Sequence, residues 1–309
     1  MTQFIKSIFY SELVISLAVF ALTSLTVFIF EVDDFLLPTI SALFVFAAYT
    51  LLRLLDLLDK NRVSTPKMEW YKKFALFYYF ALAASIAGIS YLLLTRYIDL
   101  IYWVILLAIP IIFYNKYPTR YLFKEFRGLR GHVLTKIPIL IFSWIGVVFF
   151  MPWTFFDEDL TPKIFLYILF LICWLVSNAM LYDLRNSKAV PQNEEGNFFR
   201  KYSFASGLCL IFLLNLAVIF PFLLYAPELK PLIIEYNYEL NIFPVYFLLP
   251  NIILLFMIFA LKIFNQLLSR WTLFFVLADL SFCIPWIIMM HQKYVLDWSI
   301  IPWPPFIAQ

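Results

Sequence analysis

Acidic and basic side chains alternate where one apolar run ends. Within the segment Ala47–Arg62, residues Arg53, Asp56, Asp59 and Arg62 follow one another at intervals of three. Residues three apart lie close together on a helix, so these side chains form a stripe of alternating charge. Asp56 and Asp59 suit a divalent cation, since Mg²⁺ is held by one or two carboxylates together with substrate phosphates. The alternative is a ladder of ion pairs at a membrane interface, which contributes little stability.

A second charged stretch, Asn178–Lys188, closes a later apolar run. Asp183 and Asn186 lie one helical turn apart and offer oxygen ligands for a metal, while Arg185 and Lys188 suit a diphosphate. The alternative is an ordinary helix end whose cationic side chains reach the lipid head groups. We interpret the two charged exits as facing one cavity.

One carboxylate lies in the middle of an apolar run. Asp279 occurs in the sequence LFFVLADLSFC, far from either end of its run. An ionisable group at such a depth is costly and by default functional, facing a cavity or a partner. The alternative is a protonated carboxyl group that is hydrogen-bonded within the bundle.

The most basic stretch is the loop from Lys116 to Lys136. It carries six cations against one acid, Glu125. Such a loop attracts and holds an anionic head group or a diphosphate. The alternative is that it fixes the topology and contacts anionic lipids.

Apolar residues dominate the whole chain. Of its 309 residues, 64% are hydrophobic and 14% are charged, whereas soluble domains carry roughly 25% charged residues. Runs of about 20 apolar residues, each long enough to cross a bilayer core about 30 Å thick, follow one another along the chain. We therefore predict one all-α integral membrane domain over residues 1–309, with nine transmembrane helices. The predicted spans are residues 8–30, 36–58, 71–94, 98–115, 135–156, 163–184, 201–225, 243–266 and 271–291.

The basic residues predict how these helices are oriented. All but four of the 23 Lys and Arg residues fall on one side of the predicted bundle. Because basic loops are retained in the cytoplasm, we expect a cytoplasmic N-terminus and an outer C-terminus, in a bacterial cytoplasmic membrane. Both charged exits then open on the cytoplasmic face.

The sequence lacks the residues for a zinc site or for a glycine-rich phosphate-binding loop. Two histidines and three scattered cysteines (Cys173, Cys209 and Cys283) are too few for a zinc site, and the cysteines are interpreted as packing residues. The six glycines form neither a P-loop nor a GxGxxG motif. Any phosphate must therefore be held by side chains or by a metal, and no nucleic-acid partner is expected.

This layout resembles the UbiA superfamily of intramembrane prenyltransferases, which have nine transmembrane helices and Asp-rich motifs at the cytoplasmic ends of the second and sixth. The sequence YTLLRLLD is similar to the first motif, with Thr50 in place of Asn and Arg53 in place of the first Asp. The sequence YDLRN is similar to part of the second, keeping Asp183 and Arg185 with Asn186 in place of the next Asp. LRGHVLTK resembles the family's basic phosphate-contacting loop.

The resemblance implies an enzyme that transfers a polyprenyl group from its diphosphate to an aromatic or lipidic acceptor, or cyclises it. It implies Mg²⁺ as cofactor and the lipid bilayer as environment. The metal ligands would be Asp56, Asp59, Asp183 and Asn186. The diphosphate-binding cations would be Arg53, Lys124, Arg130, Lys136, Arg185 and Lys188. Asp56 and Asp183 would act in catalysis, and Asp279 would orient the acceptor or take its proton.

Two other functions stay open at this point. The replacements at Thr50, Arg53 and Asn186 motivate a catalytically silent member of the same fold that binds another membrane protein. A transporter that uses Asp279 for proton coupling predicts a paired inverted repeat with a second carboxylate in mid-span, and no such partner is found in the sequence.

Overall fold

The computed structural model describes residues 12–30, 32–58, 66–114 and 133–186, and the single positions 206, 207, 209, 210, 213, 214, 283, 286 and 287. Every regular element in these ranges is helical. The prediction of an all-α chain is therefore confirmed for this part of the protein. The last three predicted spans lie outside the described residues except for those single positions.

Eight α-helices follow one another in the described ranges. They are α1 (Leu13–Ile29), α2 (Leu36–Asp56), α3 (Pro66–Lys73), α4 (Ala75–Arg96), α5 (Ile101–Tyr114), α6 (Val133–Ile145), α7 (Met151–Phe156) and α8 (Pro162–Asn186). A 3₁₀ turn, Ile98–Leu100, leads into α5, and a π-helical segment, Gly146–Phe150, joins α6 to α7.

These helices fall on the first six predicted spans, with one difference in the third. There the sequence predicts a single span over residues 71–94, whereas a break at Phe74 separates the short α3 from the 22-residue α4. Three helical stretches in the described part are long and apolar enough to cross a membrane: Leu36–Asp56, Ala75–Arg96 and Thr135–Phe156. The full count of nine spans and their orientation stay predictions.

The start of α2 is fixed by an acid in the turn before it. Asp34 Oδ1 accepts hydrogen bonds from the backbone N–H groups of Leu36 and Leu37 at 2.7 and 3.2 Å. Its other oxygen accepts one from the Tyr97 hydroxyl at 2.6 Å. These bonds satisfy donors that a helix start otherwise leaves unpaired. They also tie α2 to the residue that follows α4, and these two helices pack along their length.

Pro152 affects the hydrogen bonding of the π-helical segment. The Met151 N–H bonds to the Gly146 carbonyl, five residues back. In that register the next carbonyl, Val147, would need the N–H of residue 152, which is proline and has none. Ser41 of α2 donates its hydroxyl to the Val147 carbonyl instead, at 3.5 Å. A side chain of α2 therefore supplies the bond that the proline cannot.

The largest apolar core lies between α1, the π-helical segment and α8. Ala18 and Leu22 of α1 and Phe149 and Leu171 are completely buried in it. A polar contact links α1 to α8 within this core, since the hydroxyl oxygens of Thr26 and the buried Tyr167 lie 2.8 Å apart. The core holds α1 and α8 together and leaves α2 to form the wall of the cleft described below.

Candidate functional site

A buried carboxylate lies at the centre of a charged cluster at one end of the bundle. Glu12, just before α1, is only 4% exposed. Its Oε1 atom lies 3.1 Å from Nε of Arg53 at the end of α2 and 2.8 Å from Nζ of Lys67 in α3. The Tyr71 hydroxyl, also on α3, donates to the same oxygen at 3.5 Å. One acid therefore joins the beginnings of α1 and α3 to the end of α2.

The surroundings of Glu12 favour its charged form. Burial alone raises the pKa of a carboxyl group, but the positive charges of Lys67 and Arg53 and their hydrogen bonds outweigh burial and hold the pKa of Glu12 below its ordinary value. Burial and, after it, the nearby Glu12 charge raise the pKa of the Tyr71 phenol. The phenol therefore remains a hydrogen-bond donor to the carboxylate.

Asp56 belongs to the same cluster. Its Oδ2 atom lies 3.4 Å from Nη1 of Arg53, one turn earlier on α2, and its side chain is 2% exposed. The sequence predicts either a metal ligand or an ion-pair ladder at this position. The contact between Arg53 and Asp56 is the first step of that ladder. Thr50, which aligns with the first residue of the resembled motif, is fully buried one turn before Arg53.

A cleft opens between α2, α5 and the helix formed by α6 and the π-helical segment. Its volume is about 140 Å³. Its lining is mostly apolar and aromatic. The lining residues are Phe44, Val45, Ala48, Tyr49, Leu52 and Arg53 from α2, Pro110, Ile111 and Tyr114 from α5, and Ile139, Leu140, Ser143, Trp144 and Val147.

Arg53 stands at one end of this cleft, which we call the mouth. From Phe44 to Arg53 the lining follows α2 for nine residues, or about 13 Å at 1.5 Å per residue. Two aromatic side chains close the wall between α2 and α6, because Trp144 Nε1 donates a hydrogen bond to the Tyr49 hydroxyl at 3.2 Å. Among the residues that the structure describes, the cleft thus has an apolar interior and one charged lining residue, Arg53, at its mouth.

Lys136 lies beyond the mouth on α6. It precedes Ile139 and Leu140 by three and four residues, and residues at these spacings share a helix face. The side chain is partly buried. Of the cations predicted to bind diphosphate, Arg53 lines the cleft and Lys136 lies one turn outside its lining.

The remaining predicted site residues are not placed by the described structure. Asp59, Lys124, Arg130, Lys188 and Asp279 lie outside the described residues. Asp183, Arg185 and Asn186 belong to α8, but the structure describes only their backbone and not their side chains. The convergence of the two charged exits on one cavity therefore stays a prediction.

The described side chains do not by themselves form a metal site. Within residues 12–30, 32–58, 66–114 and 133–186, no three His, Cys, Asp or Glu side chains form a group that could hold a metal on its own. Mg²⁺ at a phosphate site, however, usually takes one or two carboxylates and completes its shell with phosphate oxygens and water. Asp56, one turn beyond Arg53 on α2, is 2% exposed and is not among the residues that line the cleft, so its role as a metal ligand stays a prediction.

Sequence reasoning missed the acid at the centre of the charged cluster. The sequence places Glu12 within the first predicted span, residues 8–30, Lys67 between the second and third spans, and Tyr71 at the start of the third, residues 71–94. The available signal was that Glu12 is the single acid among the first 30 residues of the sequence. An acid so close to an apolar run is costly to bury unless a cation pairs with it. That argument indicates a partner for Glu12 without saying which one.

Helices of this length and hydrophobicity are those of an integral membrane protein. Within the described part, its class is an all-helical bundle with an apolar cleft and a charged mouth. No protein-family model, no curated protein and no solved structure matches the chain.

Proposed function

We propose that this protein is a Mg²⁺-dependent intramembrane prenyltransferase, which moves a polyprenyl group from its diphosphate to an aromatic or lipidic acceptor or cyclises that group. The observation that carries the proposal is the cleft itself, whose aromatic and apolar wall ends at Arg53 beside Asp56. Such a cleft suits a ligand that has a hydrocarbon tail and an anionic head group.

The apolar interior supports a prenyl chain as the bound group. Phe44, Tyr49, Tyr114 and Trp144 present aromatic rings to the cleft. Aromatic faces attract positive charge, so they stabilise an allylic cation as well as excluding water from it. Neither effect is needed by a site that only binds neutral lipid.

The charged mouth supports a diphosphate as the head group. Arg53 offers a planar set of donors suited to phosphate oxygens. In the reaction, the bond between the allylic carbon and the diphosphate oxygen breaks and the diphosphate leaves with the electron pair. The cation then alkylates the acceptor or an alkene of its own chain, and a proton is lost, for which Asp279 is the proposed acceptor.

The proposed metal ligands are Asp56, Asp59, Asp183 and Asn186. When bound, Mg²⁺ would supply charge neutralisation for the departing diphosphate. Arg53, Lys124, Arg130, Lys136, Arg185 and Lys188 would share that task, since stabilisation of a leaving anion by fixed charges is electrostatic catalysis.

The test is diphosphate release from farnesyl or geranylgeranyl diphosphate by the purified protein in detergent. We expect release with Mg²⁺, none after EDTA, and loss of release in Ser143→Trp, because the indole fills the cleft. Phe142→Trp is the matched control, since Phe142 is the neighbouring residue, is 46% exposed and does not line the cleft. Both variants must elute as the wild type does on size exclusion.

Absence of release from the wild type with either donor and Mg²⁺ would end the enzyme proposal. Full release from a folded Ser143→Trp protein would show that the reaction occurs elsewhere than in this cleft. A protein lacking both Asp56 and Asp183 carboxylates, Asp56→Ala with Asp183→Ala, must also lose release if these acids serve the proposed metal.

The second candidate is a catalytically silent subunit of the same architecture that binds a membrane-protein partner. The observation that favours it is that Arg53, the cation that lines the cleft, is already paired with two acids, Glu12 and Asp56. This candidate predicts constitutive co-purification with a membrane protein and no binding of farnesyl diphosphate. The enzyme proposal predicts the opposite in the binding measurement.

A further inference from the structure

Arg53 is shared between the cleft and two acids. Its side chain lines the cleft, while its Nε atom contacts Glu12 and its Nη1 atom contacts Asp56. An anionic head group that enters the cleft therefore meets a guanidinium whose charge is partly balanced. The acids that balance it must influence which head groups are bound.

Glu12 is placed to act on the ligand through Arg53 rather than by contact. It does not line the cleft, it is buried, and its side chain reaches the cleft only by way of the guanidinium. Among the four charged residues of the cluster, two acids (Glu12 and Asp56) face two cations (Arg53 and Lys67), so their formal charges cancel.

We propose that Glu12 tunes the head-group preference of the cleft: it holds the Arg53 guanidinium at the mouth and lowers its effective charge. The inference rests on the proposed function. Because the charge of Arg53 is partly balanced by Glu12, a diphosphate head group would need a further cation besides Arg53. With Glu12 charged, the mouth discriminates weakly between a neutral and a charged head group. Without that charge, the Arg53 guanidinium at the mouth favours the anion.

The experiment measures binding rather than turnover, in EDTA, so that no metal takes part. Radiolabelled farnesyl diphosphate and farnesol are titrated onto purified protein in detergent, and the ratio of the farnesol Kd to the diphosphate Kd is the readout. Glu12→Gln removes the charge but keeps an amide oxygen that can accept the Arg53 hydrogen bond. We expect the ratio to rise about tenfold, the order of effect of one charge a few ångströms behind the guanidinium at an effective protein dielectric.

Two further variants separate charge from structure. Glu12→Asp keeps the charge, so its ratio should stay within about twofold of the wild type. Glu69→Gln removes an exposed acid from α3, at the same end of the bundle, and should leave the ratio unchanged because solvent and salt screen that charge. A purely structural role for Glu12 would weaken both ligands in parallel and leave the ratio where it was.

The outcomes separate this inference from the proposed function. An unchanged ratio in Glu12→Gln, or an equal rise in Glu69→Gln, would overturn the inference while the cleft still binds prenyl chains. Failure of the wild type to bind both farnesyl diphosphate and farnesol would overturn the proposed function, and the inference with it.

Discussion

Nε of Arg53 lies 3.1 Å from Oε1 of Glu12, and this contact joins the end of α2 to the residue that precedes α1. The same carboxylate oxygen forms an ion pair with Nζ of Lys67, at the start of α3. Removing one partner of a buried charge pair costs more than the pair contributes, because the other charge is left without compensation. The cluster is therefore a point at which changes of charge have measurable effects on the fold.

The first prediction concerns acid stability. The pKa of Glu12 is lowered from its ordinary 4.5, because its pairing with Lys67 and Arg53 outweighs burial. A group with a depressed folded pKa contributes stability above its unfolded pKa and loses that contribution as the pH falls through its folded pKa. We expect the Tm of the purified protein to fall below about pH 4.5, and to fall less steeply in Glu12→Gln.

The control for acid stability is Glu69→Gln, which should follow the wild-type curve because Glu69 is exposed on α3. Identical pH profiles for wild type and Glu12→Gln would contradict the assigned role of the carboxylate. The measurement is thermal unfolding in one detergent from pH 7 to pH 3.5.

The second prediction concerns the bond between Ser41 and the π-helical segment. In Ser41→Ala the Val147 carbonyl loses its side-chain donor, and Pro152 cannot replace it. We expect a loss of about 1 kcal/mol in the free energy of unfolding. Thr39→Ala is the control, since the Thr39 hydroxyl bonds only within its own helix, to the Phe35 carbonyl. Equal effects of the two variants would show that the bond across helices contributes nothing.

The third prediction concerns the close approach of α5 to the π-helical segment. A Cβ atom at Gly146 would overlap Cδ2 of Leu107, a side chain that is 1% exposed. We expect Gly146→Ala to lower the free energy of unfolding by about 1–3 kcal/mol, as overpacking does in cores. The double variant Gly146→Ala with Leu107→Ala should be less destabilised than the two single effects added together.

Gly88 provides the matched control for the substitution at Gly146. A Cβ atom there would lie 3.5 Å from Cδ1 of Leu43, an ordinary contact. Because alanine favours helices over glycine by up to about 1 kcal/mol, Gly88→Ala should leave stability unchanged or raise it. Destabilisation of Gly88→Ala as large as that of Gly146→Ala would remove the packing explanation. Chemical denaturation in detergent is the measurement for both.

The fourth prediction concerns the turn before α2. Asp34→Ala removes two hydrogen bonds to the start of α2 and one from Tyr97, so we expect a loss of about 1–2 kcal/mol. Asp34→Asn keeps an oxygen for the backbone N–H groups and should recover part of that loss. Asp33→Ala, at the exposed neighbouring position, should change stability by less than about 0.5 kcal/mol.

Hydrophobicity made the helical class and the position of α2 predictable. The predicted second span, residues 36–58, differs from α2 by only two residues at its end. Runs of apolar residues are sufficient for this, because a chain in hydrocarbon must satisfy its backbone hydrogen bonds internally and does so as a helix. The break at Phe74 and the π-helical segment were not predicted, since both depend on local backbone bonding that hydrophobicity does not record.

For the charged cluster too, the sequence determined one part of the arrangement and the tertiary structure another. The sequence by itself determined that Arg53 and Asp56 share a helix face at the end of an apolar run, because a spacing of three residues fixes that neighbourhood. Only the tertiary structure decided that Glu12, 41 residues earlier, is the partner of Arg53, and that Arg53 lines a cleft formed with α5 and α6. Contacts between helices depend on how their faces pack, and apolar faces of similar composition leave many pairings open until the bundle forms.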